Sequence, residues 1–216
     1  MRIVSALLLS AVVLSGVLAV PSVVSAQELN KPEAAKKFME AENLHLKKLN
    51  ARTDELTRTL GEAELKNLFY IRETFGTVRA VTVVQRDVGA AVKSCGKANP
   101  DMKEAMDARF KEWSDSVGPV VKDREAMMDK AITAQTYMKP KEIRDYLKLI
   151  QQTAEFADKS IEKNYATAKE DCESLLKSMD RTQEVVTELL ADLKIPAYDP
   201  KDDTFEGVPE AYKKAE

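Results

Sequence analysis

The sequence predicts an all-α fold, an elongated up-down helical bundle with coiled-coil-like packing and a very long C-terminal helix. Two observations predict this class. Glycine and proline, which interrupt helices, number only 7 and 8 among 216 residues. Apolar residues also recur at intervals of three and four along most of the region 32–193, which is the spacing of one face of a helix.

The first 26 residues are typical of an export signal. Arg2 provides a positive start, an apolar run follows, and the segment 24–26 (Val-Ser-Ala) offers small residues where a signal peptidase cleaves. A retained membrane anchor is the alternative, because the run approaches the roughly 18 apolar residues that a membrane span needs. Small residues inside the run favour cleavage. We therefore predict a signal peptide over 1–26, a secreted or periplasmic location, and no stable membrane insertion after cleavage.

The first two predicted helices span residues 32–60 and 62–98. An Asn30-Lys31-Pro32-Glu33 sequence resembles a helix N-terminus, since Asn is a good cap and Pro suits the first turn. Only Gly61 separates the two segments. They could therefore fuse, which would leave three helices instead of four.

Proline marks the next two boundaries. Asn99-Pro100 ends the second helix and starts the third, which runs to about residue 138. Pro119 lies inside that third helix and is expected to kink it. Lys139-Pro140 then precedes a fourth helix over 141–193, whose alternating spacing of four and three predicts coiled-coil contacts. The connections are short, so consecutive helices should be antiparallel.

Cys95 and Cys172 are the only two cysteines. Counting helix rise from the lower end of the predicted bundle places Cys95 at a height of about 48 Å and Cys172 at about 47 Å. Both also fall on the apolar stripes of their helices. In an oxidising compartment we therefore predict a Cys95–Cys172 disulfide with a structural role, since catalytic pairs are usually close in sequence and exposed.

The predicted domain organisation has three parts. A signal peptide occupies 1–26, a helical bundle domain occupies 27–193, and a tail occupies 194–216. The tail is acidic and contains proline, a composition that predicts an extended or disordered segment.

Several chemistries lack the residues that they require. Basic residues are interspersed with acidic ones and the net charge is −3, so we expect no nucleic-acid partner. Glu42 and His45 share a helix face as metal-ligand candidates, but the chain has one histidine and a di-iron bundle needs two such pairs. We therefore expect no metal site, no cofactor and no enzymatic activity. The alternative is a small-molecule or haem-binding bundle that uses His45, with Met127 or Met128 as a second haem ligand.

The predicted fourth helix passes the upper end of the bundle near Lys177. The overhanging part carries large apolar residues that need to be covered: Val185, Val186, Leu189, Leu190 and Leu193. We therefore expect a protein partner or self-association through this overhang. The expected function is a non-catalytic, structural, chaperone-like or protein-binding role in the cell envelope.

Overall fold

The computed structural model describes residues 44–165 and 167–202. These residues form five helices without strands, so the predicted all-helical class is confirmed for this part of the chain. The helices are α1 (Leu44–Thr59), α2 (Glu62–Ala98), α3 (Lys103–Ala134), α4 (Pro140–Lys159) and α5 (Lys169–Ala191). The predicted signal peptide, Glu42 and tail residues 203–216 lie outside the described residues.

Helices α1 and α2 are separate. Gly61 stands between them in an extended conformation, with φ −74° and ψ 173°. Its backbone N–H donates to Oε2 of Glu64 at 2.6 Å, which satisfies one of the donors left over at the start of α2. The four-helix alternative is therefore correct at this boundary, and the fused helix is not found.

Helices α2 and α3 form an antiparallel pair joined by a 3-10 turn at Pro100–Met102. We call the end with this turn the upper end and the end with Gly61 the lower end. At Gly89 an added Cβ would lie 2.8 Å from Cζ of Phe110, so glycine lets the aromatic ring lie against α2. Pro119 is inside α3, which continues through it to Ala134.

Two hydrophobic cores share this helix pair. The upper core joins α2 and α3 to α5. Its buried residues are Val78, Val81, Val92, Cys95, Met102, Met106, Trp113, Val117, Val121, Cys172, Met179 and Leu190. The lower core joins α2 and α3 to α1 and α4. Its buried residues are Leu56, Leu60, Leu65, Leu68, Ile71, Ile132, Ile143, Tyr146 and Leu147.

The prediction of one very long C-terminal helix is wrong. Helix α4 ends at Lys159, residues 160–165 and 167–168 form a non-helical crossover, and α5 spans only 23 residues. Helix α5 begins at the upper end and runs down beside α3. The contact that shows this direction is Arg124 on α3, which donates to the carbonyls of Ala191 at the end of α5 and of Leu193 just beyond it. This return buries Met179 and Leu190, a gain that a straight helix projecting into solvent would forgo.

The predicted disulfide is confirmed. Cys95 and Cys172 are joined, with their Cα atoms 5.7 Å apart, and their exposed fractions are 1% and 0%. The bond fastens the first turn of α5 to the upper end of α2. Asn99 strengthens this junction by donating from Nδ2 to the carbonyl of Thr167 at 2.9 Å.

Candidate interaction surfaces

The five apolar residues predicted to form an overhang are divided between the core and the solvent. Leu190 is fully buried, and Val186 and Leu193 pack against the upper core. Val185 and Leu189 remain 61% and 51% exposed. The overhang does not exist because α5 folds back on α3, so three of the five residues complete the protein's own core. The exposed pair lies four positions apart and therefore on one face of the helix.

A shallow groove of about 480 Å³ lies on the surface between α3 and α5. Its lining is polar or charged throughout and consists of Arg109, Glu112, Ser116, Asp180, Gln183, Glu184 and Thr187. The Arg109 guanidinium donates to Asp180 at 2.5 Å, to Gln183 at 2.8 Å and to the carbonyl of Met179 at 3.0 Å. The cation of this groove is therefore engaged in holding α5 against α3.

Arg124 fastens the other end of α5. Its Nη1 donates to the carbonyl of Leu193 at 2.9 Å and to that of Ala191 at 3.4 Å, and it also pairs with Asp123. A cation at a helix C-terminus satisfies carbonyls that lack partners within the helix and interacts favourably with the helix dipole. Helix α5 is thus tied to its neighbours along its whole length, by the disulfide, Arg109 and Arg124.

Four charged side chains join α2, the end of α4 and the crossover. Arg86 pairs with Asp87 and with Asp158 at 2.8 Å each, and Lys163 pairs with Asp87 at 2.8 Å and with Asp158 at 2.7 Å. Burial alone would raise the pKa of Asp158, but hydrogen bonds from Lys163 and Arg86 outweigh it and hold this pKa below its ordinary value. The cluster fixes the crossover at the point where helix α4 ends.

We expect Asp158→Asn to lower the free energy of unfolding near neutral pH and to lower it less in acid. The carboxyl has a lower pKa in the folded chain than in the unfolded one, so its stabilisation is present above the unfolded pKa of about 4 and is lost as pH falls through the folded pKa. We expect the variant to lose about 1 kcal/mol of unfolding free energy near neutral pH. The difference from the unsubstituted chain should shrink in urea titrations at about pH 3.

Asp115→Asn is the matched control, since Asp115 pairs with Lys111 in an exposed contact on α3. Its effect should stay within about 0.5 kcal/mol at either pH. Equal effects of the two substitutions near neutral pH would show that the cluster contributes no more than an ordinary surface pair.

The described part of the tail, residues 194–202, docks across the lower end. Ile195 packs against the lower core, and Asn67 on α2 donates from Nδ2 to the carbonyl of Pro196 at 3.0 Å. The ring of Tyr198 meets that of Tyr137 edge to face, with centroids 4.9 Å apart. The tail prediction is thereby refined, because this segment is non-helical and makes specific contacts with the helices.

Tyr137 connects the tail to the helix pair. Its hydroxyl donates to Oδ1 of Asn67 at 3.0 Å. Burial raises the pKa of Tyr137 well above its ordinary value of about 10, and the negative charge of Glu64 and the neighbouring Tyr198 add to this effect. The phenol therefore keeps its proton and remains a donor even at an alkaline pH where an exposed tyrosine would ionise. Asn67 is held in one orientation, with its amide group toward the tail.

The residues considered for metal or haem binding are dispersed. His45 is half-buried in the first turn of α1, and its partner Glu42 lies outside the described residues. Met127 accepts a hydrogen bond from Arg124, and Met128 packs against the lower core. Within residues 44–165 and 167–202, no three His, Cys, Asp or Glu side chains are grouped to hold a metal. An enclosed space between α1, α2 and α4 measures only about 10 Å³.

The sequence reasoning overlooked the residues that hold the tail. Asn67 is 6% exposed, but it directly follows Lys66 in the sequence, so no local pattern predicts that its side chain is buried. Tyr137 and Lys66 likewise gave no signal, because only folding brings them beside the tail.

Comparison with protein-family models, with curated proteins and with solved structures finds no match to this chain. In the described part of the chain, no helix combines the length and the apolar character needed to cross a bilayer.

Proposed function

We propose that this chain is an exported, non-catalytic helical-bundle protein that acts by binding another protein or a second copy of itself. One observation carries the proposal. Val185 and Leu189 place two large aliphatic side chains on the same outward face of α5, although their neighbours Val186 and Leu190 serve the core.

The surroundings of this pair suit a protein interface. Arg181 precedes Val185 by four positions and Glu188 follows it by three, so both exposed charged residues border the apolar pair. An apolar centre with a polar rim is the usual arrangement of a protein interface. Because the inner side of α5 is fastened by the disulfide, Arg109 and Arg124, its outer face is preorganised, which lowers the entropic cost of binding.

Two features support export. The signal peptide predicted over 1–26 would direct the chain out of the cytosol. The buried Cys95–Cys172 disulfide is a bond that persists mainly in oxidising compartments.

Site-specific photo-crosslinking in exporting cells tests the proposal. A photoreactive residue placed at Val185 or Leu189 should give discrete adducts, either with another protein or with a second copy of the chain. The control positions are Glu173, which is exposed about 120° around α5 from Val185, and Glu125, which is exposed on α3; both should give none. The absence of adducts at all four positions, in a chain that is exported and folded, would contradict the proposal.

A further inference from the structure

The contacts of segment 194–202 have the composition of a peptide-recognition site. We define the tail groove as Lys66, Asn67 and Tyr137 together with the lower-core surface under Ile195. A side-chain amide binds a main-chain carbonyl, an apolar surface receives Ile195, a ring edge meets Tyr198, and Lys66 pairs with Asp202 at 2.7 Å. The anchoring positions are 195, 198 and 202, each with a different chemistry.

The groove is built to contain a bound segment. Asn67 is almost fully buried and its two polar ends are both used, one by the carbonyl of Pro196 and one by the hydroxyl of Tyr137. Departure of the segment would leave the Nδ2 group of Asn67 without this acceptor and would expose the lower-core surface under Ile195. An empty groove is therefore unfavourable, and release of the tail favours a replacement of the same chemistry.

The tail itself is suited to be a replaceable occupant. Pro196 and Pro200 oppose helix formation, and the segment ends in a turn in which the amide of Asp202 donates to the carbonyl of Asp199 at 3.1 Å. Pro196, Ala197, Asp199 and Pro200 remain exposed, so the segment is held by a few anchors and not by continuous burial. A non-helical chain that carries the same anchors at the same spacing, and turns after the aromatic residue, can make these contacts.

We propose that the tail groove is a docking site for a non-helical segment of a partner protein, which displaces the chain's own tail. The segment would carry an aliphatic residue followed by proline, an aromatic residue three positions after the aliphatic one, and an acidic residue four positions later, and the partner would make further contacts outside these anchors. The inference rests on the proposed function in that the partner is a protein.

The arithmetic of tethering favours a different protein over a second copy as the occupant. A second copy would offer the same tail with the same contacts. The chain's own tail is held near the groove at an effective concentration in the millimolar range, so an identical segment from another copy cannot compete at ordinary protein concentrations. Only a segment with additional or better contacts displaces it.

A labelled peptide with the sequence of residues 193–202 provides the probe. Fluorescence anisotropy would measure its binding to the unsubstituted full-length chain and to the full-length Ile195→Asp/Tyr198→Ala variant, whose own tail is weakened while the groove is intact. We expect the variant to bind the peptide at least about tenfold more tightly than the unsubstituted chain. A control peptide with alanine at the positions of Ile195 and Tyr198 should bind the variant at least about tenfold more weakly.

Two single substitutions guard against loss of folding. Asp202→Lys alters only the end of the segment and should give a smaller gain in peptide affinity. Lys66→Glu should weaken binding of the original peptide, and a peptide with lysine at the Asp202 position should restore the affinity. Equal affinity of the unsubstituted and tail-weakened chains would place the peptide elsewhere and overturn the inference. No binding to either chain at about 1 mM peptide would also overturn it.

The two proposals fail separately. Adducts at Val185 or Leu189 without peptide binding would leave the proposed function standing and remove the tail groove as a partner site. Peptide binding without adducts would support the tail groove and would remove the α5 face as a partner site.

Discussion

Replacing both Cys95 and Cys172 with alanine is expected to lower the free energy of unfolding by about 2–5 kcal/mol. The bond closes a loop between positions 77 apart, for which loop-closure entropy alone gives about 4–5 kcal/mol. Urea unfolding followed by the fluorescence of Trp113 would measure the change, because this single tryptophan is buried in the same upper core as the disulfide. For a chain of this size the melting temperature should fall by roughly 5–15 °C.

Hydrogen exchange should show where the stability is lost. Protection should decrease most in α5 and in the upper end of α2, because the disulfide joins these two elements. Adding a thiol reductant to the double variant should change nothing, which serves as the control for unrelated effects of the reductant. Unchanged stability of the double variant would mean that packing of α5 already restrains the two segments without the bond.

Leu190→Ala is expected to destabilise the chain by about 2–5 kcal/mol, the usual cost of removing a fully buried leucine side chain. Leu190 is 0% exposed in the upper core, whereas the preceding residue Leu189 is 51% exposed. Leu189→Ala removes the same atoms from the same helix and should change stability by no more than about 0.5 kcal/mol. Thermal unfolding and urea titration of both variants would give the two differences.

This adjacent pair tests the direction of α5. If α5 projected beyond the upper end, as the sequence suggested, neither leucine would contact α3 and the two substitutions would have similar small effects. A large loss for Leu190 alone supports the folded-back helix. A large loss for Leu189 alone would indicate that α5 is rotated about its axis, so that Leu189 and not Leu190 faces the core.

The helix boundaries that the sequence predicts correctly are those with a local chemical cause. Pro100 and Pro140 lack the backbone N–H that a helix interior needs, and Gly61 has a low helix propensity, so these breaks can be inferred without tertiary information, although Pro119 does not end α3. The cysteine pairing was also predictable, since the helix-rise argument placed both residues at the upper end. It held although 160–165 and 167–168 are not helical, because α4 and the crossover still carry the chain to that end.

The crossover itself had no such local cause. Residues 160–168 contain neither glycine nor proline, and their apolar spacing continues that of α4, so the local pattern predicts a helix. The break is decided by distant groups: the ion cluster with Arg86 and Asp87, and the burial of α5 against α3. Tertiary contacts of this kind override helix propensity, which amounts to a fraction of a kcal/mol per residue.

The candidate site was predictable to a similar degree. The spacing of Val185 and Leu189 identified an apolar helix that needed a contact, but only the position of α3 separates these two residues from Val186, Leu190 and Leu193. For the tail, proline predicted an extended segment. Its docking depends on Asn67 and Tyr137, which are more distant in sequence than any local pattern extends.

When the chain leaves a ribosome or an export channel, the two cores receive their missing residues at nearly the same time. The upper core lacks Leu190 and the lower core lacks Ile195 until residues 190–195 have emerged. The disulfide likewise awaits Cys172, long after Cys95 has appeared. The helix pair α2–α3 therefore emerges with both of its apolar faces incompletely covered. Residues 186–195 then complete both cores almost at the same moment.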